Sequence, residues 1–351
     1  MGKRYLLDET KNRYKANLHC HSTVSDGEMT PEKLKQRYMS QGYSIVAYTD
    51  HEILVPHPEL NDSNFLALPG YEMQTFGDME LPKLMRRVNH MNFFPKDPEN
   101  RRMPFFTRDD VMQLDRPPCL DDIEFDGDGN EKKEYSAAGL NRLIAKANKA
   151  GFLVSYNHPT WSKEDAGIYT NLKGLFAMEI YNHDSAVTGY DAYCPYVYEE
   201  MLRSGQHIGC IATDDTHSAR DLFGGYTVIL ADSLAHANII SALEKGDYYA
   251  SRGPEIKRLW CEDGVFNIEC SPAKMIVASN SGRRRRSILC DENATLTFAQ
   301  FPIQENDLYI RFTVTDAQGR TANTRAYWRE EFTDEPAAIP DTCTRRIGAE
   351  D

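Results

Sequence analysis

Seven short apolar runs, at residues 15–19, 43–48, 65–68, 88–94, 152–156, 176–181 and 208–212, recur along the first two-thirds of the chain. Between several of them lie segments punctuated as helices. Thr30-Pro31 opens one that stops near Gly42, Ser136 opens an Ala-rich one that stops at Gly151, and others are expected near 196–205 and 233–246. This rhythm belongs to an α/β domain. No glycine-rich phosphate loop follows any run, so a barrel or a strongly curved, mostly parallel sheet is expected rather than an open doubly wound one.

The chain has 351 residues, 41% hydrophobic and 26% charged, which excludes disorder as its main state. A formal charge of −13 argues against a general nucleic-acid coat or an anionic membrane surface as its main partner. No apolar run approaches the roughly 18 residues of a membrane span, and residues 1–12 lack the apolar stretch of a secretory signal. Gly2 is no lipidation signal, because Leu6 stands where Ser or Thr is needed. A cytoplasmic protein is expected. The 8 cysteines are scattered without a CxxC pair, so neither a disulfide framework nor a thiolate site is expected, and Cys20 is read as structural.

Residues 96–134 break the rhythm and are expected to form a long insertion in a domain spanning 1–252. Asp126-Gly-Asp-Gly-Asn130 begins like a calcium loop, but Glu131 and Ala137 occupy the positions that need Gly and Glu, so an acidic turn is expected. From 253 to 332, short alternating runs separated by turns predict a small antiparallel, sandwich-like β domain, followed by an acidic tail at 333–351. The basic run Arg283 to Arg286 has no interleaved aromatics and reads as a solvated loop.

The histidines carry the chemistry. His19-Cys-His21 presents two imidazoles on one side of an extended segment, and the turn at Ser25-Asp26-Gly27 can bring a carboxylate back to them. His51, Glu72, His90, His158, Asp215 and His217 likewise stand at or just past candidate strand ends. Parallel strands of a barrel bring such positions to one mouth. In order, HxH with Asp26, Thr49-Asp50-His51, Glu72, His90, His158 and Asp215-x-His217 resemble the motif set of the PHP (polymerase and histidinol phosphatase) family of metallohydrolases, over about residues 15–250.

That resemblance implies a distorted seven-stranded β/α barrel holding two or three divalent ions. His19, His21, Glu72 and Asp215 would hold one, Glu72, His90 and His158 a second, and Asp26, His51 and His217 a third, with Asp26 standing where some members have His. The stretch 246–254 and the β region after it resemble the branch of the family that includes carbamate-ester hydrolases. Imidazole and carboxylate donors without thiolates suit Zn, Mn or Fe. Two ions sharing Glu72, about 3.5–4 Å apart, would bridge a hydroxide able to attack phosphorus, with Glu72, His217 and Asp26 the catalytic members of the centre.

Three carboxylates against up to three dications leave the loaded pocket electropositive, so a small anionic phosphorylated molecule or a nucleotide end is the expected substrate. His183 and Arg220 are the candidate substrate contacts, with Arg252, Arg101, Arg102 and Arg108 as further candidate cations. A carbamate or carboxylic-ester hydrolase using the same centre and a non-catalytic metal-binding barrel are the alternatives.

Overall fold

The computed structural model describes residues 2–111, 123–283 and 285–335. β1 (Arg4–Leu7) and β2 (Asn12–Asn17) precede α1 (Pro31–Met39), β3 (Ile45–Tyr48), β4 (Leu66–Pro69), β5 (Tyr71–Phe76) and β6 (Val88–Pro95). α2 (Arg108–Val111) and α3 (Ala137–Lys149) lead to β7 (Phe152–Tyr156), and α4 (Pro159–Ser162) and α5 (Ala166–Tyr169) lead to β8 (Ala177–Asn182). α6 (His183–Val187) and α7 (Pro195–Arg203) precede β9 (Gly209–Thr213) and β10 (Tyr226–Ala231), and α8 (His236–Lys245) precedes β11 (Tyr248–Ser251). The remainder is nearly all strand: β12 (Ile256–Glu262), β13 (Val265–Ala273), β14 (Met275–Asn280), β15 (Arg286–Leu289), β16 (Leu296–Pro302), β17 (Tyr309–Thr315), β18 (Thr321–Thr324) and β19 (Tyr327–Trp328), ending in α9 (Arg329–Phe332).

The four expected helices form where their punctuation places them. Thr30 caps α1 by accepting from Lys33 N–H, and Ser136 caps α3 by accepting from Gly139 N–H at 3.0 Å. Gly246 ends α8 at φ +75°, the left-handed conformation that glycine adopts without a Cβ penalty.

Among the described residues the strands make three sheets. One runs β5-β6-β7-β8-β9, a second and longer one runs from β15 through β11, β10 and β2 to β3 and β4, and a third is β1-β12-β13-β16. The expected mostly parallel sheet is only partly realised. β2, β3 and β4 are parallel, as are β7, β8 and β9, but β6 is antiparallel to both its neighbours and β10 is antiparallel to β2. For β5 and β6 the reason is local: residues 77–87 join them, fewer than the dozen or more that a parallel crossover needs. The first two sheets meet through two isolated bridges, Cys20 with Thr216 and His51 with Glu72. A continuous seven-stranded ladder is not what the pairing shows.

β1, β5, β10, β11, β12, β14 and β15 fall outside the runs expected as strands. β4 and β5 are one extended run broken at Gly70, where the chain passes from the ladder on β3 to the ladder on β6. A Cβ there would meet the Phe93 carbonyl, Phe94 and Thr49, each at 3.1 Å, so the corner is closed to larger residues without local adjustment. Strands also cross the expected 252/253 boundary, since β1 pairs with β12 and β11 pairs with β18.

The insertion is not a loose cover. Met103, Phe105, Phe106 and Val111 are buried in the largest apolar cluster with Phe93 and Tyr156 of the sheet. Its acidic turn forms as expected, Asn130 N–H donating to Asp128 Oδ1 at 3.0 Å and Asp126 pairing with Arg102. Residues 112–122 of the insertion and 336–351 of the tail, with Cys119 and Cys343, lie outside the described residues. No helix among the described residues is long and apolar enough to cross a membrane.

Candidate metal centre

β2, β3, β7 and β9 end on the same side of the sheets, and the residues just past those ends face one another. His19 and His21 follow β2, His51 follows β3, His158 follows β7, and Asp215 and His217 follow β9. Glu72 and His90 are exceptions to the strand-end expectation. They lie inside β5 and β6, and they reach the same mouth because β6 runs in reverse and starts there.

Glu72 is the hub. Its Oε1 lies 3.2 Å from His19 Nε2, 3.1 Å from His90 Nδ1 and 3.2 Å from His158 Nε2. Its Oε2 lies 3.4 Å from His21 Nε2 and 3.2 Å from His51 Nδ1. Asp215 Oδ1 stands 3.1 Å from both His19 Nε2 and His21 Nε2. Asp26 sits further out, 3.6 Å from His51 Nε2 and 3.7 Å from His217 Nε2. All nine residues thus form one connected cluster.

Burial opposes charge on His19, but Asp215, Glu72 and Glu179 outweigh it and raise its pKa well above the ordinary imidazole value. His21 is likewise raised, to about 9, by Asp215 and Asp26 against burial. Burial and the neighbouring His21 push His51 down to about 3. Glu72, despite burial, is held well below the usual carboxylate range by His90 and His19, as Asp215 is by His19 and His21. Without metal, protons on some imidazoles supply the positive charge that the carboxylates demand.

The donors fit a cation. An ion bound at about 2.0–2.2 Å holds neighbouring donors roughly 3.0–3.5 Å apart, which is the spacing around Glu72 and Asp215. Asp215 Oδ1, His21 Nδ1 and His51 Nδ1 are buried and make no well-directed hydrogen bond despite these close approaches, a state that costs free energy unless something charged is bound among them. Three-residue groups close enough to share an ion include His19, His21 and Glu72; His19, His158 and Asp215; and His51, Glu72 and His90. His21, Asp26, His51 and His217 make a further group nearer the mouth.

Loop-forming acids build the frame. Asp50 Oδ1 accepts from Ser22 N–H at 2.8 Å and from Ser25 Oγ–H at 2.8 Å, which folds the turn that carries Asp26. Gly27 closes that turn, where a Cβ would lie 2.4 Å from the His21 carbonyl oxygen. Asp214 accepts from the N–H groups of Phe223, Gly224 and Gly225, and burial raises its pKa to about 6 even so. Both acids stand next to candidate ligands and serve the backbone. His158 and Asp215 themselves have φ of +23° and +54°, conformations that persist at non-glycine residues only when the surroundings impose them.

Sequence reasoning missed Glu179. On β8 and fully buried, it accepts from His19 Nδ1–H at 2.7 Å, Thr213 Oγ–H at 2.7 Å, the His158 N–H at 3.0 Å and Asn182 Nδ2 at 2.9 Å. It therefore fixes the tautomer in which His19 Nε2 faces the cluster. An acid inside the otherwise apolar run 176–181 was the available signal. Asn157 was also missed; its Nδ2 donates to Glu72 Oε1 at 2.7 Å.

The cluster floors a cavity of about 610 Å³ walled by Phe76, Val88 and Trp161, with Lys163, Asp184 and Arg220 at its rim. Trp161 packs against His90 and His158 at ring separations of 5.3 and 5.0 Å. Arg220 lines this cavity, with its side chain 67% exposed. His183 is not among the residues lining this cavity. Its Nδ1 is bonded to Tyr181 Oη at 2.8 Å and its ring fills the space beside Gly224. Arg252 stacks on Tyr181, Arg102 pairs with Asp126, Arg101 lines a separate cavity, and Arg108 N–H donates to Gly129, so none of these lines the mouth either. Asp184, His217 and Asp221 also lie close together, but Asp221 is occupied by His217 N–H, Ser218 and Arg220. Cys20 points into the cluster with Met29, Leu34 and Tyr38, as its structural reading requires.

No family model matches the chain. A 5'-3' exoribonuclease of Haemophilus influenzae is 45% identical over 40 residues, and the match spans only 11% of this chain and 15% of that protein. Among solved structures, a two-domain protein of Bacteroides vulgatus containing a predicted PHP-like metal-dependent phosphoesterase aligns over 93% of this chain and 98% of its own, at 14% identity and a TM-score of 0.45. A lesion-specific endonuclease of Pyrococcus furiosus aligns over 67% of this chain and 56% of its own, at 12% identity and a TM-score of 0.39. The nine candidate ligands of the ordered motif set are the nine residues that meet in this cluster.

Proposed function

We propose that the chain is a cytoplasmic metal-dependent phosphoesterase acting on a small phosphorylated molecule or a nucleotide end. One observation carries the reading: five imidazoles approach a single buried carboxylate, Glu72, to within 3.4 Å. We read the sheets, tied by their two bridges, as the distorted seven-stranded barrel of the PHP family, and the nine clustered residues as the ligands the motif set implies, with His90 and His158 in separate groups rather than in the shared one expected. Bound Zn, Mn or Fe ions would supply Lewis acidity and lower the pKa of a water to near 7.

The chain's own residues do the rest. Glu179 holds the proton of His19 on Nδ1, and the Asp215 carbonyl does the same for His217, 3.0 Å from its Nδ1, leaving each Nε2 lone pair facing inward. Asn157 Nδ2 orients the Glu72 carboxylate. Trp161 covers one side of His90 and His158 and excludes water from it. Lys163 and Arg220 at the rim complement an anionic group, and Asp184 stands where a leaving oxygen can take a proton.

The test is metal analysis followed by rates on aryl phosphates, nucleotides and aryl esters. At least two ions per chain with turnover of a phosphate is the expected result. Faster turnover of carbamates or carboxylic esters overturns the substrate assignment, and full metal occupancy with no turnover on any panel supports the non-catalytic alternative.

A further inference from the structure

Among the described residues, the inserted segment touches the metal-ligand frame through a buried ion cluster. Lys133 Nζ, on a side chain 6% exposed, lies 2.6 Å from Glu52 Oε2 and 2.8 Å from Asp110 Oδ2, and donates to the Gln74 carbonyl at 3.0 Å. Glu52 Oε1 accepts from Gln74 N–H at 2.8 Å. Glu52 follows His51 directly, and Gln74 stands two residues past Glu72 on β5. The clasp therefore joins, from outside, the two segments that carry these ligands.

The backbone repeats the connection. Glu52 N–H donates to the Glu72 carbonyl at 2.7 Å, and Glu72 N–H donates to the Asp50 carbonyl at 3.2 Å. Glu52 holds φ at +60°, left-handed backbone that a residue with a Cβ keeps only when its surroundings impose it. The side-chain clasp is the constraint at hand. A loop that merely covers a face has no need of a buried lysine. The same insertion also makes the open pair Arg102–Asp126, whose side chains are 56% and 45% exposed.

We infer that Lys133 is a positioning residue for the metal centre, through which the insertion braces His51 and Glu72 at the separation a cation requires. The inference rests on the metal reading of the site given above. It assigns the insertion to one flank, that of His51, Glu72 and His90, and leaves the flank of His19, His158 and Asp215 to the strands.

The experiment titrates the metal-stripped full chain with Zn²⁺ and follows urea unfolding in parallel. It compares the wild type with Lys133→Met, with Glu52→Gln/Lys133→Met and with Arg102→Ala. Lys133→Met is expected to weaken one class of site about 10–100-fold while the other stays at wild-type affinity. The double variant leaves no charge unpaired at Glu52, and Asp110, whose side chain is 20% exposed, keeps contact with water, so the unfolding midpoint is expected to return most of the way without the weakened site being regained. Should the single variant fail to fold, the double variant carries the measurement. Arg102→Ala is expected to bind as the wild type does. Wild-type binding by Lys133→Met, or recovery of both midpoint and site in the double variant, overturns the brace. A wild type that takes up no Zn²⁺ sinks the metal reading and the brace with it.

Discussion

The two flanks of the imidazole cluster rest on different supports. On the inner flank, Glu179 of β8 receives hydrogen bonds from His19, Thr213 and the His158 backbone, so the neighbouring parallel strands β7, β8 and β9 and the end of β2 lock one another. On the outer flank, His51 at the end of parallel β3 meets Glu72 through an isolated bridge where the pairing turns antiparallel at β5 and β6, and a lysine from the insertion reaches in to hold that junction. Parallel strand ends suffice to aim ligands where they adjoin. Where the pairing reverses, an added segment does the aiming.

Glu72 belongs to both flanks, so its loss should erase the difference between them. Glu72→Ala is expected to lower metal affinity and phosphate release by more than about 100-fold, read by Zn²⁺ titration and a phosphate assay. One intact tight site in that variant would show the flanks to be independent. Glu179→Ala strikes the inner flank alone, with a loss of about 10–100-fold in affinity there. It also strands the Thr213 hydroxyl and the His158 N–H, costing about 1–3 kcal/mol in a urea unfolding curve. Glu179→Gln, whose amide oxygen still accepts from His19 Nδ1–H, should lose less.

Gly27→Ala sharpens the comparison at the mouth. The added methyl meets the His21 carbonyl, so the turn must open at a cost of about 1–3 kcal/mol, and Asp26 is displaced. Turnover should fall while tight binding on the inner flank persists, which metal analysis and kinetics together resolve. The outer flank should also carry a pH dependence. Burial pushes the Glu52 carboxyl up to about 7, with Lys133 acting against the rise. The folded state then binds more protons than the unfolded one between about pH 4.5 and 7, so this group's contribution to stability declines as pH rises through that window. Glu52→Gln should flatten that part of the urea midpoint against pH in metal-free protein, and an unchanged profile would remove Glu52 from the account. The smallest effect is expected at the rim, where Arg220→Ala should raise KM for an anionic phosphate a few-fold at constant kcat, since its 67% exposed side chain acts through solvent.

The ligand types were legible in the sequence because imidazoles and acids are conspicuous when they close apolar runs, as in residues 15–21 and 208–217. The helices were legible from Thr30, Ser136 and Gly246, whose capping roles are local. What escaped depends on partners far along the chain. β5 hid behind Gly70, because a break in the apolar run looked like the end of a strand. β1, β10 and β11 are each completed by partners that the pattern within their own windows does not reveal. His183 and Arg252 follow strands, as candidate contacts should, yet they turn toward Tyr181, because position along a strand does not set the direction of a side chain beyond its end. Lys133 and Glu52 read as ordinary surface charges until the fold buries them together.

β1 pairs with β12, roughly 250 residues later in the chain. On a ribosome adding about 5–20 residues per second, that first strand waits roughly ten seconds to a minute for its mate to emerge. Until then its edge stands open to stray strands, so the nascent chain has a use for a chaperone that shields it.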